Sequence, residues 1–199
     1  MTLSPKTSVS LILKVASQQD VLAWERFCEI YQPLVYRIAL SRGLQAADAH
    51  DLVQEVMTRV ARSIANWDPD SSKGSFRGWI SRIARNLIID FMRNKNRLPI
   101  TSDHSDIRKM IESTPAESKD SQWLDLEYEK QVFIAAANQI KHKFNEKTWQ
   151  AFWLTAVENN SVESTATLLS MTPGSIYVAR SRVMAKLKET VRIYIEGSE

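Results

Sequence analysis

The sequence is poor in cysteine, glycine and proline, and it contains no long apolar run. One cysteine, five glycines and six prolines are spread over 199 residues. Cys28 alone cannot form an internal disulfide, and its place in the apolar stretch from Trp24 to Tyr31 predicts a small buried side chain rather than a reactive thiol. No stretch approaches the roughly 20 apolar residues of a membrane-spanning helix, and the apolar patch from Val9 to Ala16 lacks the basic start of a targeting segment. We therefore expect a cytoplasmic protein without membrane insertion.

Residue combinations that carry covalent chemistry or hold metal ions are also missing. The three histidines are isolated, no cysteine–histidine set has metal-ligand spacing, and no glycine-rich loop follows a strand pattern. Asp68 and Asp70 lie among turn-forming residues, where carboxylates cap the turn. The sequence predicts no catalytic residue, no metal site and no cofactor.

Helical periodicity dominates the first half of the chain. Apolar residues recur at helical spacing from Leu22 to Tyr31, after which Pro33 is expected to bend or restart the helix. Gly43 lies where a left-handed residue would end the next short helix. The clearest amphipathic pattern runs from Ala46 to Ile64, and a polar loop then precedes a helix predicted from Phe76 to Lys95. The predicted fold class is all-α.

A polar segment divides the chain into two predicted domains. Residues 98–121 hold five acids, three bases and little apolar periodicity, which is typical of a flexible linker. Helical periodicity returns from Trp123 to Lys143 and from Asn145 to Val157, with Asn145 as an N-cap. We predict two small helical domains, residues 1–97 and residues 122–199, joined by this linker.

Positive charge is concentrated in two segments. The net charge is only +3, yet Lys73–Arg97 holds seven bases against one acid, and Met171–Lys188 holds four bases and no acid. Two separate basic helices indicate two places where a polyanion such as nucleic acid binds.

Two short helices near the C-terminus fit a helix-turn-helix. Ser161 can cap the first, residues 170–172 form the turn, and Thr172-Pro173 is a typical helix start. The second helix would face inward with Ile176, Ala179, Val183 and Leu187. Its other face suits the major groove, because side chains near a helix N-terminus reach base edges while nearby cations hold phosphates. A solvated basic helix in an ordinary bundle is the alternative.

Three segments in the first half, taken in order, resemble domain 2 of the sigma-70 family. They are Tyr31–Tyr36, Asp48–Val56 and Gly74–Ile80, the last followed by Ile83-Ala84-Arg85-Asn86 and Asp90. The segment Gly174–Val183 resembles the recognition helix of domain 4. Because only a linker separates the two domains, the chain resembles the compact extracytoplasmic-function (ECF) class. The resemblance implies a helical bundle joined flexibly to a helix-turn-helix domain.

This resemblance implies a sigma factor that binds core RNA polymerase and directs initiation at promoters with minus-ten and minus-thirty-five elements. The implied core-binding residues are Asp48, Asp51, Gln54, Glu55 and Arg59. The implied minus-ten residues are Ser75, Phe76, Arg77, Trp79, Arg82, Arg85, Asn86 and Arg93. The implied minus-thirty-five residues are Ser175, Tyr177, Val178, Arg180, Ser181, Arg182 and Lys186. The implied partners are promoter DNA, the clamp helices of the largest polymerase subunit and the flap of the second largest, and an anti-sigma factor is left open.

Several alternatives stay open at this point. The acidic side of the helix that carries Asp51 and Glu55 suits a basic partner, but a solvated face has the same composition. Trp79 can stack on a flipped base or pack in the core. A stand-alone helix-turn-helix regulator, which binds an operator without being a polymerase subunit, is the main rival function. A helical interaction scaffold that binds no DNA is the other.

Overall fold

All regular secondary structure in the described part of the chain is helical, which confirms the predicted fold class. The computed structural model describes residue 7 and residues 9–17, 20–67, 75–95 and 119–196. The predicted loop residues 68–74 and most of the predicted linker therefore lie outside the described residues. The helices are α1 (Val9–Ala16), α2 (Val21–Ser41), α3 (Ala46–Ser63), a 3-10 turn (Ile64–Asn66), α4 (Phe76–Lys95), α5 (Lys119–Lys141), α6 (Glu146–Ala156), α7 (Val162–Leu169) and α8 (Pro173–Glu196).

The chain divides into two compact units, Met1–Gln131 and Val132–Glu199. The sequence prediction began the second domain at residue 122, whereas the structure groups the first half of α5 with α1 to α4. The physical reason is burial: Tyr128 is fully buried and its ring centroid lies 5.9 Å from that of Tyr31. Burial raises the pKa of both tyrosine hydroxyls. The assignment of a separate role to each unit stays a prediction.

An aromatic cluster forms the centre of the first unit. In this unit α2 packs against α1, α3 and α4, and α3 packs against α4. The ring centroids of Phe27 and Tyr31 are 4.4 Å apart, and Phe76 meets Tyr31 edge-on at 5.7 Å. Trp67 approaches Phe76 at 5.0 Å. Each buried aromatic side chain contributes about 1.5–3 kcal/mol, so the cluster fixes the start of α4 on α2.

Pro33 lies inside one continuous helix, so the helix does not restart there, and the predicted bend stays a prediction. α2 runs from Val21 to Ser41 through the proline. An internal proline costs about 3 kcal/mol, but Tyr31 and Leu34 on either side are buried and hold the helix against its neighbours. The predicted end of the helix is confirmed: Gly43 has φ +87°, and the Leu44 N–H donates to the Ala39 carbonyl at 3.2 Å.

The second unit contains the remainder of α5 with α6, α7 and α8. Both predicted caps are confirmed, because Asn145 Oδ1 accepts from the Thr148 N–H at 2.8 Å and Ser161 Oγ accepts from the Ser164 N–H at 3.1 Å. α6 packs on both α7 and α8, and α7 packs on α8. Small buried side chains, Ala151, Ala166 and Ala179, surround Ile176 at this junction and let the helices approach closely.

Candidate polymerase and DNA interfaces

The exposed side of α3 carries the implied core-binding residues. Asp51, Gln54, Glu55 and Arg59 are exposed, and Asp48 in the first turn is partly exposed. The opposite side buries Leu52, Val53, Val56 and Val60, as the periodicity predicted. Arg59 Nε lies 3.1 Å from Glu55 Oε1. The side of α3 that faces solvent is thus acidic in its first half, with Asp48, Asp51 and Glu55, and carries two exposed arginines, Arg59 and Arg62, near its end.

A groove between α3 and α4 is lined both by residues implied for core polymerase binding and by one residue implied for the minus-ten element. It has a volume of about 620 Å³. Its lining residues are Asp51, Leu52, Glu55 and Arg59 of α3 and Leu87, Asp90, Phe91 and Arg93 of α4. Arg93 was implied for the minus-ten element, and its Nη1 lies 3.9 Å from Asp90 Oδ1. An apolar floor with charged rims is suited to a partner helix that carries both apolar and charged side chains.

Two of the implied minus-ten residues, Ser75 and Phe76, stabilise the start of α4. Ser75 caps the helix, because its Oγ accepts from the Gly78 N–H at 3.2 Å and its carbonyl accepts from the Trp79 N–H at 2.9 Å. Phe76 is buried in the aromatic cluster. The contact of Ser75 and Phe76 with DNA stays a prediction, and in this conformation the Phe76 ring is inaccessible.

One face of α4 is open and basic. Arg82, Asn86 and Arg93 are exposed, and their spacing places them on the same side of the helix as Trp79. Arg82 forms no ion pair with any described residue. Trp79 is half-buried, with its ring 5.4 Å from that of Phe76, so it packs partly on the core and leaves part of its surface accessible.

The other face of α4 is covered by the beginning of α5. Arg77 is only 8% exposed; its Nη2 lies 2.7 Å from Asp125 Oδ1, and its guanidinium carbon lies 4.7 Å from the centroid of Tyr128. Arg85 is partly buried on the same face. Sequence reasoning missed Asp125 and Tyr128, since an acid and a tyrosine three residues apart in a helix do not indicate which distant helix they meet.

The C-terminal pair has the predicted helix-turn-helix arrangement. α7 ends at Leu169, Ser170 adopts left-handed φ 51° and ψ 51°, and α8 begins at Pro173. Thr172 caps α8, because its Oγ1 accepts from the Ser175 N–H at 3.2 Å. The predicted inward residues Ile176, Ala179, Val183 and Leu187 are all buried.

The exposed surface of α8 carries six of the seven implied minus-thirty-five residues, and the seventh, Lys186, is partly buried. Tyr177 and Val178 are 57% and 50% exposed. Ser175, Arg180, Ser181 and Arg182 are exposed as well. Ser175 Oγ lies 2.8 Å from Thr172 Oγ1, so its hydroxyl is shared with the cap. Lys186 Nζ donates to Glu189 Oε2 at 2.8 Å, which lowers the pKa of Glu189. Arg180 and Arg182 pair with none of the described residues, so both cations are available.

Other kinds of site were also sought in the described part of the chain. There, no three histidine, cysteine, aspartate or glutamate side chains come close enough together to hold a metal ion. None of its helices combines the length and apolar character needed to cross a membrane.

Comparison with known proteins gives one family and several relatives. Residues 27–98 match the family described as Sigma-70 region 2. The chain is 33% identical over 92 residues to the ECF RNA polymerase sigma factor SigE of Mycolicibacterium smegmatis, covering 46% of this chain and 34% of that protein. It is 25% identical over 166 residues to a probable RNA polymerase sigma factor, RfaY, of Xanthomonas campestris, covering 83% and 40%. It is 28% identical over 167 residues to the ECF RNA polymerase sigma factor EcfG of Rhodopseudomonas palustris, covering 84% and 83%.

The fold and these similarities together indicate what kind of protein the chain resembles. A helical bundle with an exposed basic helix, followed in the chain by a helix-turn-helix, defines a class of helical proteins with two candidate surfaces for nucleic acid. The match of residues 27–98 to Sigma-70 region 2 is narrower, and it makes this part of the chain similar to sigma-70 proteins, including ECF members. The chain spans about a third of SigE and two fifths of RfaY.

Proposed function

We propose that this chain is an ECF-type sigma factor that binds core RNA polymerase and directs initiation at specific promoters. The groove between α3 and α4 docks on the clamp helices of the largest subunit. The open face of α4 holds the minus-ten element, and the outward face of α8 reads the minus-thirty-five element. The second unit also meets the flap of the second-largest subunit.

The observation that carries this proposal is the composition of the α3–α4 groove. Glu55 and Arg93 line the same groove, so the helix proposed to hold DNA also borders the proposed polymerase surface. A stand-alone operator-binding protein needs the helix-turn-helix but has no use for this second arrangement. The open face of α4 supplies cations for a phosphate backbone and part of an indole ring for a base, which is what capture of single-stranded DNA requires.

The proposed role needs no covalent step by this chain, because the polymerase performs the chemistry. The chain contributes binding energy and promoter choice. We place this activity in the cytoplasm, and an anti-sigma factor that masks either surface is compatible with it.

A run-off transcription assay tests the proposal directly. Purified protein is added to core RNA polymerase with a library of promoter fragments, and the expected result is initiation at a defined subset of them. Failure of the folded protein to confer initiation on any fragment would refute the proposal. The Arg82→Gln variant is expected to lower initiation on the selected fragments, whereas Lys147→Gln, an exposed base on α6 that belongs to no proposed surface, serves as its control.

A binding assay separates the rival functions. The proposed sigma factor binds single-stranded minus-ten DNA much more tightly with core polymerase than alone. A stand-alone regulator binds duplex operator without polymerase, and an interaction scaffold binds neither DNA.

A further inference from the structure

The basic residues of α4 are divided between two faces of the helix. Arg82, Asn86 and Arg93 lie on the open face. Arg77, Ser81 and Arg85 follow one another at intervals of four residues and therefore share a second face. Arg77 and Ser81 are each 8% exposed. The helix thus has a second face with two arginines, of which Arg77 is nearly buried and Arg85 is partly buried.

Residues 123–128, which we call the covering segment, close this second face. Asp125 pairs with Arg77 at 2.7 Å, and the Tyr128 ring lies against the same guanidinium. Ser81 and Arg85 line a pocket of about 340 Å³ together with Trp123 and Leu124 of the covering segment. All of these residues belong to the first unit. The covered face therefore has a specific acidic and aromatic lid, which belongs to the helix that follows the predicted linker.

Arg77 makes the two kinds of contact that an arginine makes with a nucleotide. A carboxylate oxygen at 2.7 Å from a guanidinium nitrogen makes the kind of charge-assisted contact that a phosphate oxygen makes. The aromatic ring at 4.7 Å stacks on the guanidinium as an arginine stacks on a base. Asp125 therefore contacts Arg77 as a phosphate would, and Tyr128 contacts it as a base would.

Asp125 is a more exposed contact of Arg77 than Tyr128 is, so an incoming anion would replace Asp125 first. The Asp125 side chain is 37% exposed and the Arg77 side chain is 10% exposed. Solvent and polyanions therefore reach the carboxylate first, and rotation of one short side chain would remove the carboxylate from the guanidinium. Tyr128 is fully buried and can stay in place while Asp125 moves.

We propose that Asp125 occupies a phosphate site of promoter DNA on the covered face of α4, so that Arg77 contacts a phosphodiester only after Asp125 is displaced. This inference rests on the proposed function, because it assigns a regulated contact to the same DNA-binding helix. In the free protein the single strand meets the open face alone. In the polymerase complex the Asp125 side chain moves away, and Arg77 adds to the binding.

The first test removes the carboxylate from the full-length protein. Binding of a fluorescein-labelled single-stranded oligodeoxynucleotide is measured by anisotropy at several salt concentrations, without polymerase. Asp125→Asn is expected to tighten binding about tenfold, because a charge-assisted contact to one phosphate becomes available. It should also steepen the dependence of log Kd on log salt by about 0.7, the value for one phosphate of a single strand. Unchanged affinity in a folded variant would overturn the proposal.

Two control variants test whether the gain in affinity comes from the Arg77–Asp125 contact or only from the change in net charge. Glu129→Gln, which makes the same change in net charge about one turn further along α5 than Asp125, is expected to leave both affinity and salt dependence nearly unchanged. The double variant Arg77→Gln/Asp125→Asn is expected to lose the gain. An equal gain in Glu129→Gln, or a gain that persists in the double variant, would overturn the proposal.

A second measurement does not depend on the folding of Asp125→Asn. In the free protein Arg77→Gln is expected to weaken single-strand binding less than twofold, whereas Arg82→Gln on the open face weakens it severalfold. In the holoenzyme with core polymerase, both variants are expected to weaken binding about tenfold. Equal effects of the two variants in the free protein would overturn the proposal. Failure of the proposed function has a different signature, since the wild-type protein would then confer no initiation on core polymerase.

Discussion

Glu55 and Arg59 form an ion pair across one turn of α3, with 3.1 Å between Glu55 Oε1 and Arg59 Nε. Both side chains are about half exposed, and an exposed pair at this spacing contributes only about 0.3–0.5 kcal/mol to stability. The fold therefore tolerates changes at either residue. Both line the α3–α4 groove, so their main importance is expected to be in binding.

Reversing the charge at Glu55 is expected to abolish polymerase binding. Glu55→Arg places two like charges one turn apart in the groove and opposes any basic surface on the partner. Co-purification with core RNA polymerase measures the effect, and circular dichroism checks the fold. Glu25→Arg makes the same charge change on α2 away from the groove and should co-purify normally. If Glu55→Arg co-purifies as well as the control, the docking assignment is wrong.

Loss of one cation from α8 is expected to flatten the salt dependence of duplex binding. Arg182→Ala removes an exposed arginine that no described residue pairs with. Each lost phosphate contact lowers the slope of log K against log salt by about one unit. The slope is measured on minus-thirty-five duplex DNA with holoenzyme, and Lys147→Ala is the matched control. A slope identical to that of the wild type would remove Arg182 from the phosphate contacts.

The two buried tyrosine hydroxyls are expected to differ in what they contribute to stability. Thr7 Oγ1 lies 2.6 Å from the Tyr31 hydroxyl, so Tyr31→Phe breaks a buried hydrogen bond and should cost about 1–2 kcal/mol. The Tyr128 hydroxyl makes no hydrogen bond of good geometry in the described part of the chain; the nearby Thr7 hydroxyl lowers its pKa, but that Thr7 hydroxyl is already hydrogen-bonded to Tyr31. Tyr128→Phe should therefore be neutral or stabilising by up to about 1 kcal/mol. Urea unfolding measures both, and a larger loss in Tyr128→Phe would contradict the assignment.

Glycine at the turn between α7 and α8 is expected to stabilise the second unit. Ser170 has φ 51°, where a Cβ costs about 1–2 kcal/mol, and the greater freedom of glycine in the unfolded chain offsets part of the gain. Ser170→Gly should raise the free energy of unfolding by about 0.5–1 kcal/mol. Ser181→Gly, inside the exposed part of α8, should lower it by about 0.5 kcal/mol. Thermal unfolding of the two variants should shift in opposite directions.

Local patterns in the sequence predicted most of the helices and their caps. Asn145 and Ser161 were recognised because a capping side chain acts on a backbone group only three residues away. The buried positions of α3 and α8 followed from helical periodicity for the same reason. Pro33 shows the limit of such rules, since burial of the neighbouring side chains outweighs a local preference against helix.

The covering segment could not be predicted, because its contacts depend on distant residues. Arg77 and Asp125 are 48 positions apart in the chain, and the composition of residues 98–121 suggested a domain boundary before Asp125. The open face of α4 was predicted in part: Arg82, Asn86 and Arg93 are exposed as expected, while Phe76 and Arg77 are buried. Charge counts identify a basic helix but cannot tell which of its sides is covered.

The single cysteine, Cys28, is expected to react slowly with thiol reagents. Cys28 is only partly buried, whereas its apolar surroundings predicted a buried side chain, and burial raises the pKa of its thiol to about 11. At neutral pH only about one molecule in ten thousand carries the reactive thiolate. Maleimide reagents should therefore leave the native chain almost unmodified. A second cysteine at an exposed position of α5, such as Lys130→Cys, would accept a fluorophore selectively without prior removal of Cys28.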